Sequence, residues 1–242
     1  MKIVDIIEDK INRLPTNYVF TYSDFNKEVE AKNSIIKILN KLVTTKKIAK
    51  LSKGKFYKPQ KTPFGLLKPP AYQIVKDFIE QNGKLIGYLT GYSVYNDLGL
   101  TTQISNQIQI GTNKYRHAVK RENYTISFIV QPNKITKDNI VSLRILDAVR
   151  FIKAIPATTP DEACIRLKEI FRELTPEKQQ TLVNLALKYT DSVRALCGAI
   201  LEDINADEVV TAKLKNSLNN ITDYKIPISE TVLPAKTKWR IK

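Results

Sequence analysis

Apolar residues recur at helical spacing from the start of the chain, at Ile3, Ile6, Ile7, Ile11 and Leu14, and Pro15 follows them. This predicts an amphipathic helix that the proline stops. Tyr18 to Thr21 is short and β-prone. Ser23 is a suitable N-cap for a brief second helix, with Asp24 in its first turn and with Phe25 and Val29 facing inward. In the third helix Ile35, Ile38, Leu39 and Leu42 make an apolar stripe, while Asn33, Lys37, Asn40, Lys41 and Thr44 make the opposite face. Lys47 to Leu51 then reads as a strand, Ser52 to Lys55 as a turn with Gly54 at positive φ, and Phe56 to Lys58 as the return strand. A lone hairpin is barely stable in water, so Ile48, Leu51 and one of Phe56 or Tyr57 should pack on the helices. Three helices followed by a lysine-rich hairpin is the order of a winged helix-turn-helix, expected over residues 1–60.

Pro59, Pro63, Gly65, Pro69 and Pro70 predict an irregular linker over residues 61–70. Tyr72 to Gln81 then fits a helix that buries Ile74, Val75, Phe78 and Ile79. Gly83 to Gln103 predicts a turn, a short helix from Gly91 to Asp97 and a stop at Gly99, with Tyr88, Tyr92 and Tyr95 on one face. Its glycines match neither the P-loop nor the dinucleotide-binding spacing. Gln107 to Ile110 and Tyr124 to Val130 alternate as strands, Ile140 to Leu143 is a third candidate, and Ile145 to Ala154 is a helix ended by Pro156. A mixed α/β domain over residues 71–156 follows. Four amphipathic helices are expected over residues 157–225; Thr175-Pro176-Glu177 is a cap, a proline and an acidic first turn. They read equally as a bundle on the α/β domain or as a partner surface. The basic tail, residues 226–242, has little periodicity. Either Trp239 pins it to the body or its four cations form a free arm. The fold class is α+β: an N-terminal winged helix-turn-helix, then a mixed α/β domain with C-terminal helices.

Charge sharpens this picture. The 242 residues hold 39 Lys and Arg against 24 Asp and Glu, a net charge of +15. Such a surplus implies polyanionic partners, chiefly nucleic acids or acidic membranes. It is also unevenly placed. After Glu30 the next acid is Asp77, and twelve lysines lie between them. A solvated face is the usual reading of a charge run, but this one is longer than such a face requires. Asn33, Lys37, Asn40, Lys41 and Thr44 can reach base edges and phosphates in a major groove, and Lys46, Lys47, Lys50, Lys53 and Lys55 can reach the backbone beside it. A second acid-free stretch, Leu98 to Arg121, carries a secondary basic patch of Lys114, Arg116, Lys120 and Arg121.

Little points to chemistry. Cys164 and Cys197 lie on apolar stripes without metal-ligand spacing or a disulfide framework, which suggests inert core thiols in a reducing, cytoplasmic setting. Asp97 and Asp147 lack acidic companions of the kind a magnesium-dependent nuclease uses. The single histidine, His117, sits among the cations Arg116, Lys120 and Arg121, and nothing points to it as part of a catalytic triad. The expectation is therefore no enzyme, no cofactor and no metal. Asp5, Glu8 and Asp9 interrupt any signal peptide, and no run approaches the roughly 18 apolar residues of a membrane span.

The N-terminal elements, the motif GKFYKP at residues 54–59, the segment GYLTGYSVYNDLGLTTQISNQIQIGTN at 87–113 and LRILDAVRFIKAIP at 143–156 resemble the antitoxin and transcriptional-regulator half of AbiEi-like type IV toxin–antitoxin systems. The likeness covers roughly residues 1–205, and 87–113 is its most specific part. It implies a winged helix on double-stranded operator DNA of its own operon. It also implies a C-terminal part that counters a nucleotidyltransferase-like toxin in an abortive-infection or phage-defence system. It supplies no catalytic residues. The rival readings are a DNA-binding regulator without a toxin partner, a non-specific nucleic-acid or RNA binder, and a nucleic-acid-processing enzyme.

Overall fold

The computed structural model describes residues 2–26, 32–63 and 65–242. They form a mixed α+β structure that divides into two compact units. The first unit is Met1–Asp77 with Val119–Tyr124; the second is Phe78–Ala118 with Thr125–Lys242.

In the first unit, helix α1 (Ile3–Arg13) buries Ile7 and Ile11. Strand β1 (Val19–Thr21) follows, then a 3-10 turn over Tyr22–Phe25. Of the expected second helix, the described residues show this one turn. Its cap is Thr21 rather than Ser23, because the Asp24 carboxylate accepts from the Thr21 amide at 2.6 Å and so fixes the chain one step earlier. Phe25 is buried as expected; Val29 lies outside the described residues. Helix α2 (Lys32–Thr44) buries Ile35, Leu39 and Leu42. Strands β2 (Ala49–Ser52) and β3 (Lys55–Tyr57) make the hairpin. Gly54 turns it at φ +74 with open space around its missing Cβ, so backbone conformation alone asks for glycine there.

β1 completes this sheet. It pairs antiparallel with β3, with Phe20 opposite Phe56, so the strand order is β1-β3-β2. A bulge between Lys50 and Ser52 sets Leu51 into the interior. Phe20, Phe25, Phe56, Ile48 and the stripes of α1 and α2 form one core. Phe56 and Tyr57 are both buried, where only one was required.

Beyond Pro59, the chain is regular where the prolines predicted irregularity. β4 (Gln60–Thr62) and β5 (Gly65–Leu67) pair antiparallel. Each proline falls outside a paired strand, so no ladder N–H is missing. Helix α3 (Ala71–Ile79) buries Ile74, Val75 and Ile79, and Phe78 is half-buried.

In the second unit, β6 (Glu80–Gln81) and β7 (Lys84–Leu85) form a small hairpin across Asn82-Gly83. β8 (Gly87–Thr90) occupies what read as a turn; its glycine and two buried ring and hydroxyl positions hid its alternation. The expected helix after it shrinks to a 3-10 turn over Gly91–Ser93. β8 runs antiparallel to β9 (Gln107–Thr112). The next strand, β10 (Val119–Arg121), belongs to the first unit. β11 (Tyr124–Val130) returns parallel to β9, with Phe128 opposite Ile110. Tyr88 faces Gly111, where an added Cβ would come within 2.3 Å of the tyrosine ring. The three tyrosines do not share a face: Tyr92 and Tyr95 form their own edge-to-face pair.

Helix α4 (Ile140–Arg150) begins at the residues read as a third strand. Their apolar run was too short to separate strand from helix by periodicity. The Asn139 side chain accepts from the Thr136 amide just before it. α5 (Pro160–Arg172), α6 (Pro176–Ala186), α7 (Asp191–Asp203) and α8 (Glu208–Asn216) are the four expected helices. Thr159 and Glu162 form a capping box on α5, and Thr175 caps α6. The tail is folded. Trp239 is 1% exposed and lies against Gly198 of α7, and Tyr224 bridges to Ile241. Tyr95, Leu100, α4 to α8 and the tail share one continuous core. The helices after residue 156 therefore pack into the same core as α4.

Candidate nucleic-acid interface

Helix α2 is two-faced because its sequence is. Three of the four positions Ile35, Ile38, Leu39 and Leu42 are buried and Ile38 is half-buried. Asn33, Lys37, Asn40, Lys41 and Thr44 are all exposed. Thr44 returns its hydroxyl to the Asn40 carbonyl at 3.2 Å, which leaves the two amides and two ammoniums as the face's outward chemistry. Lys32 extends that face at its start, with its ammonium 4.7 Å from the centre of the Tyr22 ring.

The hairpin lysines divide into two groups. Lys46, Lys50 and Lys53 are exposed, and no carboxylate pairs with them among the described residues. Lys47 is exposed but pairs with Glu8 of α1 at 2.9 Å. Lys55 is spent differently: it is only 19% exposed and pairs with Asp77 at 3.0 Å. Arg121 meets the same carboxylate through both guanidinium nitrogens, at 2.6 and 2.7 Å, and donates to the Ile74 carbonyl at 2.6 Å. Burial pushes the Asp77 carboxyl up, but the hydrogen bonds from Arg121 and Lys55 outweigh it and hold the group below its ordinary range. Lys55 and Arg121, both candidate contacts by sequence, are thus structural cations of the first unit. The sequence did hold the signal, for Asp77 is the acid that ends the lysine run.

The secondary patch is divided between the two units. Lys120 and Arg121 belong to the first unit, and Lys114 and Arg116 to the second. Tyr115 and His117, between and beside the latter pair, carry no weight in a count of charge, yet both are exposed.

The tail cations are also engaged. Lys238 and the Trp239 indole both donate to Glu202 at 2.7 Å. Arg240 pairs with Asp223 at 2.7 Å, Lys242 pairs with the same carboxylate, and Lys236 donates to the Ile228 carbonyl.

The most concentrated buried polar chemistry is at Asp147, which is fully buried in α4. It accepts from Tyr88 at 2.6 Å, Thr90 at 2.7 Å and Tyr189 at 2.9 Å. Gln131 Nε2 donates in turn to both tyrosine oxygens, at 2.8 and 2.6 Å. Burial pushes the Asp147 carboxyl up, while the three hydroxyl donors pull it part of the way back. Each donor has an acceptor, so the cluster is a closed network that ties β8 to α4 and to the turn after α6. Cys164 and Cys197 are buried, and burial pushes the Cys164 thiol up to about 12. Among the described residues, no group of three His, Cys, Asp or Glu side chains is placed to hold a metal ion, and no helix is long and apolar enough to cross a membrane.

A model of DUF6088, a family of unknown function, matches residues 6–182. The chain belongs to this family. The DUF6088 match takes in most of α1 through most of α6, so it includes α2, the hairpin and, of the Asp147 network, every member but Tyr189. No curated protein matches the chain. Among solved structures, the RV2827C protein from Mycobacterium tuberculosis is similar in fold, with a TM-score of 0.52 at 13% identity over 90% of this chain and 82% of that one.

Proposed function

We propose that this DUF6088 chain is a winged-helix, duplex-DNA-binding transcriptional regulator. One observation carries the reading: the exposed Asn/Lys face of α2 is followed directly by a lysine-bearing hairpin whose strands close a β1-β3-β2 sheet on the same core. In this reading α2 enters the major groove, where Asn33 and Asn40 address base edges and Lys37 and Lys41 address bases or phosphates. Lys46, Lys50 and Lys53 meet the flanking backbone, with Lys47 available once it leaves Glu8. Charge placement supports it. By sequence the first unit holds eighteen Lys and Arg against eight Asp and Glu, a net +10 of the chain's +15. The test is the ratio of affinity for the duplex upstream of the chain's own reading frame to affinity for random duplex at one salt concentration. A ratio well above ten supports an operator-reading autoregulator; a ratio near one overturns it.

The antitoxin role rests on the likeness of residues 87–113 and 143–156 to AbiEi-like proteins, which lies in the second unit. Co-production with a nucleotidyltransferase encoded in the adjacent reading frame tests it. Restored growth supports an antitoxin, and an unrelieved growth defect leaves a regulator without a toxin partner.

A further inference from the structure

We propose that the loop Asn113–His117 of the second unit is a separate nucleic-acid site, one that holds the unpaired bases of a single strand. The loop is anchored before it reaches solvent. Asn113 donates its side-chain amide to the Gln131 and Asn133 carbonyls at 2.8 and 2.6 Å, and the Thr112 hydroxyl donates to the Lys114 carbonyl at 2.8 Å. Arg116 holds it further on, with its guanidinium 5.6 Å and 5.9 Å from the centres of the Phe78 and Phe128 rings. On this support Tyr115 stands 72% exposed. It does not swing freely, because it packs edge-to-face with His117 at 5.1 Å and its hydroxyl lies 3.4 Å from His117 Nδ1. Lys114 and Arg116 are its chain neighbours, the first exposed and the second half-buried, and no carboxylate pairs with either among the described residues. A cavity of about 440 Å³ belongs to the first unit, but beside this loop lies its own depression of ≈ 280 Å³, lined by Gln81, Leu85, Ile86, Asn113, Lys114 and Arg116.

An exposed aromatic pair alternating along the chain with two cations that no carboxylate neutralises is the chemistry that recognises single strands: the cations follow the backbone and the rings stack on bases of any identity. A duplex keeps its base faces in its own stack and would leave Tyr115 idle. An acidic protein would satisfy Lys114 and Arg116 but offers the ring pair no flat partner. The site shares no residue with α2, so it stands or falls apart from the regulator reading.

Fluorescence anisotropy of a labelled oligothymidylate and a labelled oligouridylate against the full chain tests it. Both should bind, a stronger oligouridylate signal adding a 2′-hydroxyl contact to the same site. Tyr115→Ala should weaken binding by roughly 5- to 100-fold, whereas Tyr115→Trp should retain it. The Lys37→Ala, Asn40→Ala, Lys41→Ala variant should bind these strands as the parent does while losing duplex preference. The exposure of Tyr115 means its variants should keep the parent's circular dichroism. Absent binding to either strand overturns the proposal. So does a Tyr115→Ala chain that binds like the parent, or single-strand binding lost with the α2 variant alone. Polyglutamate binding that depends on Tyr115, with no strand bound, overturns it in favour of an acidic protein partner.

Discussion

Two carboxylates show how burial and partners decide what a single side chain does. Asp147 serves as the acceptor for three buried hydroxyls. Removing it by Asp147→Ala orphans donors that water cannot reach, each at a cost of roughly 1–3 kcal/mol. Urea unfolding should therefore register a loss of at least about 2 kcal/mol, with the m-value unchanged. Asp77 works in the opposite direction with pH. Its folded-state pKa lies below the unfolded one, so the stability it contributes is fully present above the ordinary carboxylate range, near 4. That stability is lost as pH falls through the depressed folded value. The chain's melting temperature should drop below about pH 4, and Asp77→Asn should lower it at neutral pH while flattening that acid-side drop. An unchanged acid profile in Asp77→Asn would assign the loss to other carboxylates.

At the scale of elements, α2 and the hairpin make separable contributions to the proposed DNA contact. Replacing Lys37, Asn40 and Lys41 by alanine should reduce preference for the upstream duplex more than affinity for random duplex, because base contacts carry sequence and phosphate contacts do not. Replacing Lys50 and Lys53 should weaken both duplexes alike and flatten the slope of log K against log salt by about 0.9 per phosphate lost. Lys55→Ala should instead lower the melting temperature, since its ammonium is committed to Asp77. Equal effects of the first two sets on preference would mean that α2 is not the reading helix. These elements were legible in sequence because periodicity and capping residues spoke clearly: the stripe of α2, Gly54, and the Thr159 and Thr175 caps. The misses have different causes, one of them a distant partner. Asp24 moved a cap to Thr21. Gly87 and Tyr88 made a strand because β9 offers Gly111 to the ring. Ile140 to Leu143 entered α4 because the helix continued beyond a run too short to judge. Nothing in residues 47–58 alone could announce that Lys55 would find Asp77 and Arg121.

For the whole molecule, net charge is a poor guide until each cation's partner is known. The tail shows this best. By composition it is a basic arm, but Lys238, Arg240 and Lys242 all meet carboxylates and Trp239 fills the space that Gly198 leaves on α7. Its charges are consumed in closing the second unit's core, whereas the surplus of the first unit is left largely in solvent. Exposed ion pairs each contribute little, so the joint variant Lys238→Ala, Arg240→Ala, Lys242→Ala should lower the melting temperature only by a few degrees. Trp239→Ala opens a cavity in the core and should cost about 3–5 kcal/mol. If the fold, and not a free arm, is what these residues serve, neither change alters the salt slope for duplex DNA in chains that remain folded. A slope that falls by roughly 0.9 for each tail cation removed would show those side chains leaving Glu202 and Asp223 for phosphates, and the tail would then have to be counted as part of the interface.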